Sequence, residues 1–335
     1  MIKIILFLIT INSIIVFSLN KISSIINIFD NPNNELKIHI IKTPLIGGII
    51  IYLNIIVILI YQYFTSEQFL FLNNNLSTIN NSYSLLSLLT CYFILGLIDD
   101  KINLNPYLRF FAVIITTFIF LILNKEFIIS SFYSSSFNKI ILFKEFGIVF
   151  TIFCVLILMN SLNFYDGLNG QSILLYLILF LYLFSITKNI FYFLIIINLV
   201  FILYINLTGR IFLGDNGVYL LSGILSFALI YEYKMTANII AAEEIFLLLI
   251  FPGFDLIRLV FERMINKKNP LFGDLNHFHH LLSKKFNLFY TNLILLILNF
   301  YSLIIYIFYK VNFIFILFQF TCIFFLVLFY LKKNN

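Results

Sequence analysis

Tryptophan is absent from this chain, cysteine occurs only three times, and charged residues make up 11% of its 335 positions. So little charge excludes a soluble globular domain, where about 25% of residues are charged. Cys91, Cys154 and Cys322 stand singly inside apolar runs, which implies neither a disulfide framework nor a thiolate metal site. Aspartate is also scarce. The seven are Asp30, Asp99, Asp100, Asp166, Asp215, Asp255 and Asp274, and each reads as lying where a hydrophobic run meets a polar turn. No basic stripe or aromatic platform stands outside the apolar runs, so nucleic acid is not an expected partner.

What is present is apolar. Hydrophobic residues make up 62% of the chain and the mean hydropathy is +1.05. A spanning helix needs roughly 20 mostly apolar residues. Such segments lie near 2–20, 46–64, 84–98, 107–124, 147–162, 171–187, 189–205, 213–231, 244–262, 291–309 and 312–331. Backbone groups in lipid must be paired within the segment, so the spans are helices. The expectation is an all-α polytopic transmembrane bundle of about eleven helices forming one integral-membrane domain over 1–335. The run after Lys3 resembles a signal peptide but lacks a small-residue cleavage site, and so reads as a retained first helix.

The turns after the odd-numbered segments and the C-terminal tail hold 14 of the 21 Lys and Arg residues, which assigns them to the cytoplasm. All seven aspartates and the four histidines (His39, His277, His279, His280) fall on or near that side. The sequence therefore describes a multi-pass protein of the inner, cytoplasmic membrane with a polar site facing the cytoplasm. The net charge of +6 reads mostly as topology signal and attraction to anionic headgroups. Tyr61, Tyr63, Tyr231, Tyr233 and Tyr330 form an interfacial belt.

Five polar segments carry chemistry. Asp99-Asp100-Lys101, with Arg109 downstream, could hold Mg²⁺ or supply a general base, or be solvated interfacial acids balanced by lysine. Asn160, Asn163 and Asp166 recur every three residues and share a face if the helix extends that far. Gly167 and Gly170 follow, and an ordinary capping turn is the alternative. Asp215 lies between Gly214 and Asn216-Gly217 at the start of an apolar run, near Arg210, where helix capping or a phosphate–metal contact would explain it. His277, His279 and His280 are spaced in a loop after Asp274, without the cysteine partners or i, i+4 spacing usual for zinc, and suit donation to a pyrophosphate better. The turn-rich stretch from Asp30 through Lys37, His39 and Lys42 ends in Gly47-Gly48, which would permit close helix packing or approach of the backbone to a ligand.

Together and in this order the segments resemble the polyprenyl-phosphate N-acetylhexosamine-1-phosphate transferase family, within glycosyltransferase family 4, from about Asp30 to Leu282. The His277-Phe278-His279-His280 pattern is similar to the branch that starts O-antigen and teichoic acid linkage units. It departs from the related phospho-MurNAc-pentapeptide translocase branch.

The resemblance implies transfer of a sugar-1-phosphate from a UDP-N-acetylhexosamine, most simply UDP-GlcNAc, to undecaprenyl or another polyprenyl phosphate, releasing UMP. It implies Asp99 and Asp100 as catalytic residues and Asp215 as ligand to Mg²⁺, with Mn²⁺ as an alternative. Asn160, Asn163, Asp166, Arg210, His277, His279, His280 and Lys42 are the implied substrate-binding set. A homodimer is left open. Asn169, Val113, Leu275 and Leu36 depart from the usual family residues. The alternatives are a translocase-type enzyme and a membrane transporter, the latter disfavoured because the acids sit at the rims of the spans.

Overall fold

The computed structural model describes residues 2–32, 41–65, 76–136, 138–235, 240–272, 274 and 276–333. Its helices are α1 (Ile2–Ile26), α2 (Gly47–Thr65), α3 (Leu76–Ile102), α4 (Pro106–Leu123), α5 (Gly147–Tyr165), α6 (Gln171–Thr187), α7 (Ile190–Leu207), α8 (Gly214–Met235), α9 (Ala242–Leu248), α10 (Ile250–Ile265), α11 (Phe278–Ser283), α12 (Leu288–Tyr309) and α13 (Phe313–Lys333). Strands β1 (Phe29–Asp30) and β2 (Thr43–Pro44) pair antiparallel, as do β3 (Ser131–Ser134) and β4 (Lys139–Leu142). Among the described residues seven helices are long and apolar enough to cross a membrane, namely α1, α2, α4, α5 with the turn before it, α7, α12 and α13. The fold is an all-α polytopic membrane bundle.

Each of the eleven apolar segments corresponds to helix, but the ninth is broken. Leu249, at φ −115 and ψ 11, separates α9 from α10. Pro252 explains the break, because it has no N–H to donate to the carbonyl of Leu248 and fits only in the first turn of a new helix. Helix starts elsewhere are set by asparagine. Asn105, Asn189 and Asn287 accept from the N–H groups of Tyr107, Phe191 and Tyr290, and Pro106 follows the first of these caps.

The helices group into two compact units. The first comprises Met1–Glu126 with Ser172–Ala228, and the second Phe127–Gln171 with Leu229–Asn335. In the first unit α1, α2 and α7 pack together around Ile4, Leu8, Ile58 and Leu194. A hydrogen-bonded triad crosses the same helices. Asn12 Nδ2 donates to Asn198 Oδ1 at 2.9 Å and to Asn54 Oδ1 at 3.2 Å, and Asn54 Nδ2 donates to Asn12 Oδ1 at 3.0 Å. Between apolar helices such bonds contribute about 0.6–2 kcal/mol each and fix which faces meet. Tyr92 and Thr117 tie α3 to α4 at 2.6 Å.

In the second unit α5 packs on α10, while α12 touches α9, α10, α11 and α13. The β3–β4 hairpin is pinned to α9 by Ser134 Oγ, which donates to Glu243 Oε1 at 2.9 Å. Phe251, Phe278 and Phe324 form an edge-to-face and tilted aromatic cluster with ring centroids 5.1–5.7 Å apart. It buries the root of α11. Large apolar side chains such as Phe17 and Phe318 stay exposed along α1 and α13, as lipid-facing surface requires.

Candidate active site

In the first unit α3 ends, and α8 begins, in the same place. Gly96 of α3 lies so close to the backbone of Asp215 and Asn216 that a Cβ there would collide with main-chain atoms. Gly48 of α2 meets Asn216 and Gly217 in the same way. The Gly47-Gly48 pair therefore serves close helix approach. It is reinforced by Gly47 N–H donating to Phe212 O and Gly48 N–H to Leu213 O, both at 3.0 Å.

This approach delivers the Asp100 carboxylate to the amino end of α8. Asp100 Oδ1 accepts from Asp215 N–H at 2.8 Å, and Oδ2 accepts from Asn216 N–H at 3.0 Å and from the Asn216 side-chain amide. Asn216 Nδ2 also donates to Leu45 O at 3.1 Å, so one asparagine joins three segments of the chain. A carboxylate at a helix N-terminus satisfies orphan N–H groups and the helix dipole together.

Asp99 is buried at 2% exposure. Its Oδ2 accepts from Arg109 Nη1 at 2.6 Å, and its Oδ1 accepts from Leu104 N–H at 2.8 Å. Arg109 also reaches the Tyr219 hydroxyl. The Asp215 carboxyl comes within hydrogen-bonding reach of Asp99 and feels the charges of Asp100 and Arg109. Three acidic groups, expected from two separate motifs, are thus brought together by Arg109 and Asn216.

Carboxyls as close as Asp99 and Asp215 need a proton or a cation between them, and a divalent ion suits such a set. Among the described residues no three His, Cys, Asp or Glu side chains are grouped to hold a metal by themselves. Mg²⁺ does not require that arrangement, since it takes one or two carboxylates and completes its octahedron with waters and substrate phosphates. The donor chemistry fits the ion.

Arg210 is exposed in the turn before α8, and the guanidinium acting on the acidic cluster is that of Arg109. Lys42 is exposed, with its ammonium 4.5 Å from the centre of the Phe29 ring. Lys37, His39, Leu36 and Leu275 lie outside the described residues.

The second unit carries the remaining candidates. Helix α5 ends at Tyr165, so Asp166 is its C-cap and not a continuation of the Asn160–Asn163 face. Asn160 turns back onto its own helix, donating to Leu156 O at 2.8 Å. Asn292 of α12 donates to Asn169 O at 2.9 Å and steadies the turn. Gly167 leaves no room for a Cβ because the His279 imidazole fills that space.

All three loop histidines converge. The rings of His279 and His280 are 4.2 Å apart, His277 lies 5.3 Å and 5.9 Å from them, and Phe164 meets His277 edge-on at 5.4 Å. His277 Nδ1, His279 Nε2 and His280 Nδ1 are buried without a hydrogen-bond partner among the described residues. Burial, with Arg263 nearby, pushes His277 down to about 4. Burial and the neighbouring His277 push His280 down to about 4 as well. Burial holds His279 well below the usual imidazole range. Near neutral pH the cluster is a set of neutral imidazoles with unspent nitrogens, able to donate to or accept from a polar ligand.

Arg263 stacks over the Phe164 ring at 5.1 Å and donates to Asp274 Oδ2 at 3.0 Å and Pro270 O at 2.9 Å. Burial opposes ionisation of Asp274, but the bonds from Arg263 and from Asn276 N–H outweigh it and hold the carboxyl below its ordinary range.

Asn216, Tyr219 and the partners of the histidine loop on α10 are not apparent from the sequence motifs. Arg109 is visible there only as a lone arginine ten residues after Asp99.

Residues 82–232 match the family model described as glycosyl transferase family 4. The matched stretch includes Asp99, Asp100, Asn163, Asp166 and Asp215 and stops before the histidine loop. No curated protein matches the chain. The stretch that builds the acidic cluster lies within the matched residues, and over that stretch the chain is similar to glycosyl transferase family 4.

Proposed function

We propose that this membrane transferase moves N-acetylhexosamine-1-phosphate from a UDP-N-acetylhexosamine to a polyprenyl phosphate, most simply from UDP-GlcNAc to undecaprenyl phosphate, and releases UMP. The match of residues 82–232 to family 4 supports glycosyl-1-phosphate transfer in general. The observation that carries the finer reading is the acidic cluster, in which Asp99 and Asp215 approach each other beside Arg109 while Asp100 secures the helix that bears Asp215.

In the proposed reaction an acceptor phosphate oxygen attacks the phosphorus that carries the sugar. The bond from that phosphorus to the bridging oxygen breaks, and UMP leaves with the electron pair. A phosphate monoester has its second ionisation near pH 6, so the acceptor arrives largely as its dianion. What the protein must supply is positioning and counter-charge more than a strong base. Asp215 and Asp99 would hold Mg²⁺, which when bound would neutralise the phosphate oxygens. Arg109 holds the Asp99 carboxylate in orientation through its 2.6 Å ion pair. Asp100 fixes Asp215 through the backbone N–H groups of Asp215 and Asn216. The neutral imidazoles of His277, His279 and His280, with Asn163 and Asp166, suit the uncharged and anionic parts of a nucleotide sugar. The site faces the cytoplasm in this reading, because the Lys and Arg excess lies on the side of the acidic turns.

The test uses purified protein with undecaprenyl phosphate, Mg²⁺ and a panel of radiolabelled UDP-sugars, with lipid-linked product and UMP both quantified. Product from one N-acetylated donor, lost in EDTA and in Asp215→Asn, is the expected result. Near wild-type rates in Asp215→Asn or in EDTA would remove the metal assignment. Failure with every donor would remove the substrate class.

A further inference from the structure

Helix α10 carries a buried ion pair that the chemistry above leaves unused. Asp255 and Arg258 are 5% and 6% exposed and lie one turn apart. Arg258 Nε and Nη2 donate to Asp255 Oδ1 at 2.9 and 2.6 Å. Both partners also hold the backbone of the histidine segment. Arg258 Nη2 donates to Asn276 O at 2.7 Å, and Phe278 N–H donates to Asp255 Oδ2 at 3.3 Å. The main chain is therefore clasped on either side of His277.

The outer end of the guanidinium is held as well. Arg258 Nη1 donates to Glu262 Oε2 at 3.0 Å, and Glu262 Oε1 accepts from Lys332 Nζ of α13 at 2.7 Å. A buried ion pair is a poor source of net stability, because desolvation offsets its attraction. What this pair does supply is direction. Helix α11 has six residues and cannot hold itself. The Phe278 ring anchors it among Phe251 and Phe324, but apolar packing alone does not set the path of the backbone around His277.

We propose that Asp255 and Arg258 are positioning residues that preorganise the histidine loop for the diphosphate and sugar of the donor. The inference rests on the reading of His277, His279 and His280 as donor-contacting groups. A loop already set in place binds without losing ordering entropy at each encounter, so the pair acts on donor affinity and leaves the lipid acceptor untouched.

The experiment takes the full chain in detergent or nanodiscs and compares Arg258→Ala, Arg258→Lys, Asp255→Asn and His277→Ala. It measures KM for donor and acceptor separately, kcat, and deuterium uptake of the amides at 276–283. Arg258→Ala and Asp255→Asn are expected to raise the donor KM at least about 10-fold with the acceptor KM within about two-fold, and to speed exchange at 276–283. Arg258→Lys keeps the charge but not the fork, and is expected to fall between.

Unchanged donor KM and exchange in the Arg258 and Asp255 variants, with donor KM raised in His277→Ala, would overturn the positioning role and leave the donor site standing. Unchanged donor KM in His277→Ala would overturn the donor reading and this inference with it. If Arg258→Ala does not fold, Arg258→Lys and Asp255→Asn decide. A parallel fall in kcat and thermal stability without a donor-specific KM change in those two would show a structural role only, and overturn the proposal.

Discussion

Acidification should open the histidine loop. His277 is held down to about 4 by burial and by Arg263, against an unfolded value of about 6.5. The unfolded segment therefore binds more protons than the folded one between those values. This contribution to stability is complete above about pH 6.5 and is lost as pH falls towards 4. From pH 7 to pH 5 the loss at His277 comes to about 2 kcal/mol, or roughly 30-fold in the opening equilibrium. His280 titrates in the same direction and adds to it. The charges around the cluster do not rescue it. Arg258, Arg263 and Lys284 repel a second positive charge, and the Asp274 carboxylate is already engaged by Arg263.

The assay is donor kcat/KM at saturating acceptor from pH 5 to pH 8, with amide exchange at 276–283 over the same range. A steep acid limb below about pH 6, steeper than one proton, with faster exchange in step, is expected. The double variant His277→Gln, His280→Gln should flatten the limb. A one-proton limb of identical midpoint in that variant would refute the reasoning and move the titration to another group.

Replacing Arg109 by Ala leaves Asp99 buried beside Asp215 without its cation, and should lower stability by about 3 kcal/mol, read as thermal denaturation in detergent. Adding Asp99→Asn to that variant should recover part of the loss. Gly48→Ala drives a methyl into Asn216 and the backbone of Gly217, and should cost about 3 kcal/mol or more and abolish transfer by displacing Asp215. Gly253→Ala is the control, since no described residue lies within 4 Å of its added Cβ, and should stabilise α10 by about 0.5–1 kcal/mol with activity unchanged. Asp100→Asn removes the charge that caps α8 while keeping its shape. Its transfer rate should fall severely, and a rate near wild type would reduce Asp100 to an interfacial acid.

Helix content followed from composition alone, because twenty apolar residues in lipid have little choice but to pair their backbone within the segment. The caps at Asn105 and Asn189 and the stop after Tyr165 lie where polar side chains interrupt those runs. Gly47-Gly48 was legible as a site of close approach, by a helix or by a ligand, and the fold decides for the helix. The acidic motifs were legible as well, because carboxylates are costly in such a chain.

Other relations needed the tertiary structure, since they join residues far apart in the chain. Asp99 and Asp215 are 116 positions apart, and their meeting depends on Gly48 and Gly96 letting α2, α3 and α8 approach. Arg210 is the nearer arginine to Asp215 in sequence, yet the fold leaves it exposed and brings Arg109 instead, because Arg109 opens the helix that pairs with α3. The histidines were conspicuous by type, but their neutrality was not. Burial beside Phe164, Gly167 and Arg263 makes the imidazoles neutral, and a charge count along the sequence carries no information about burial.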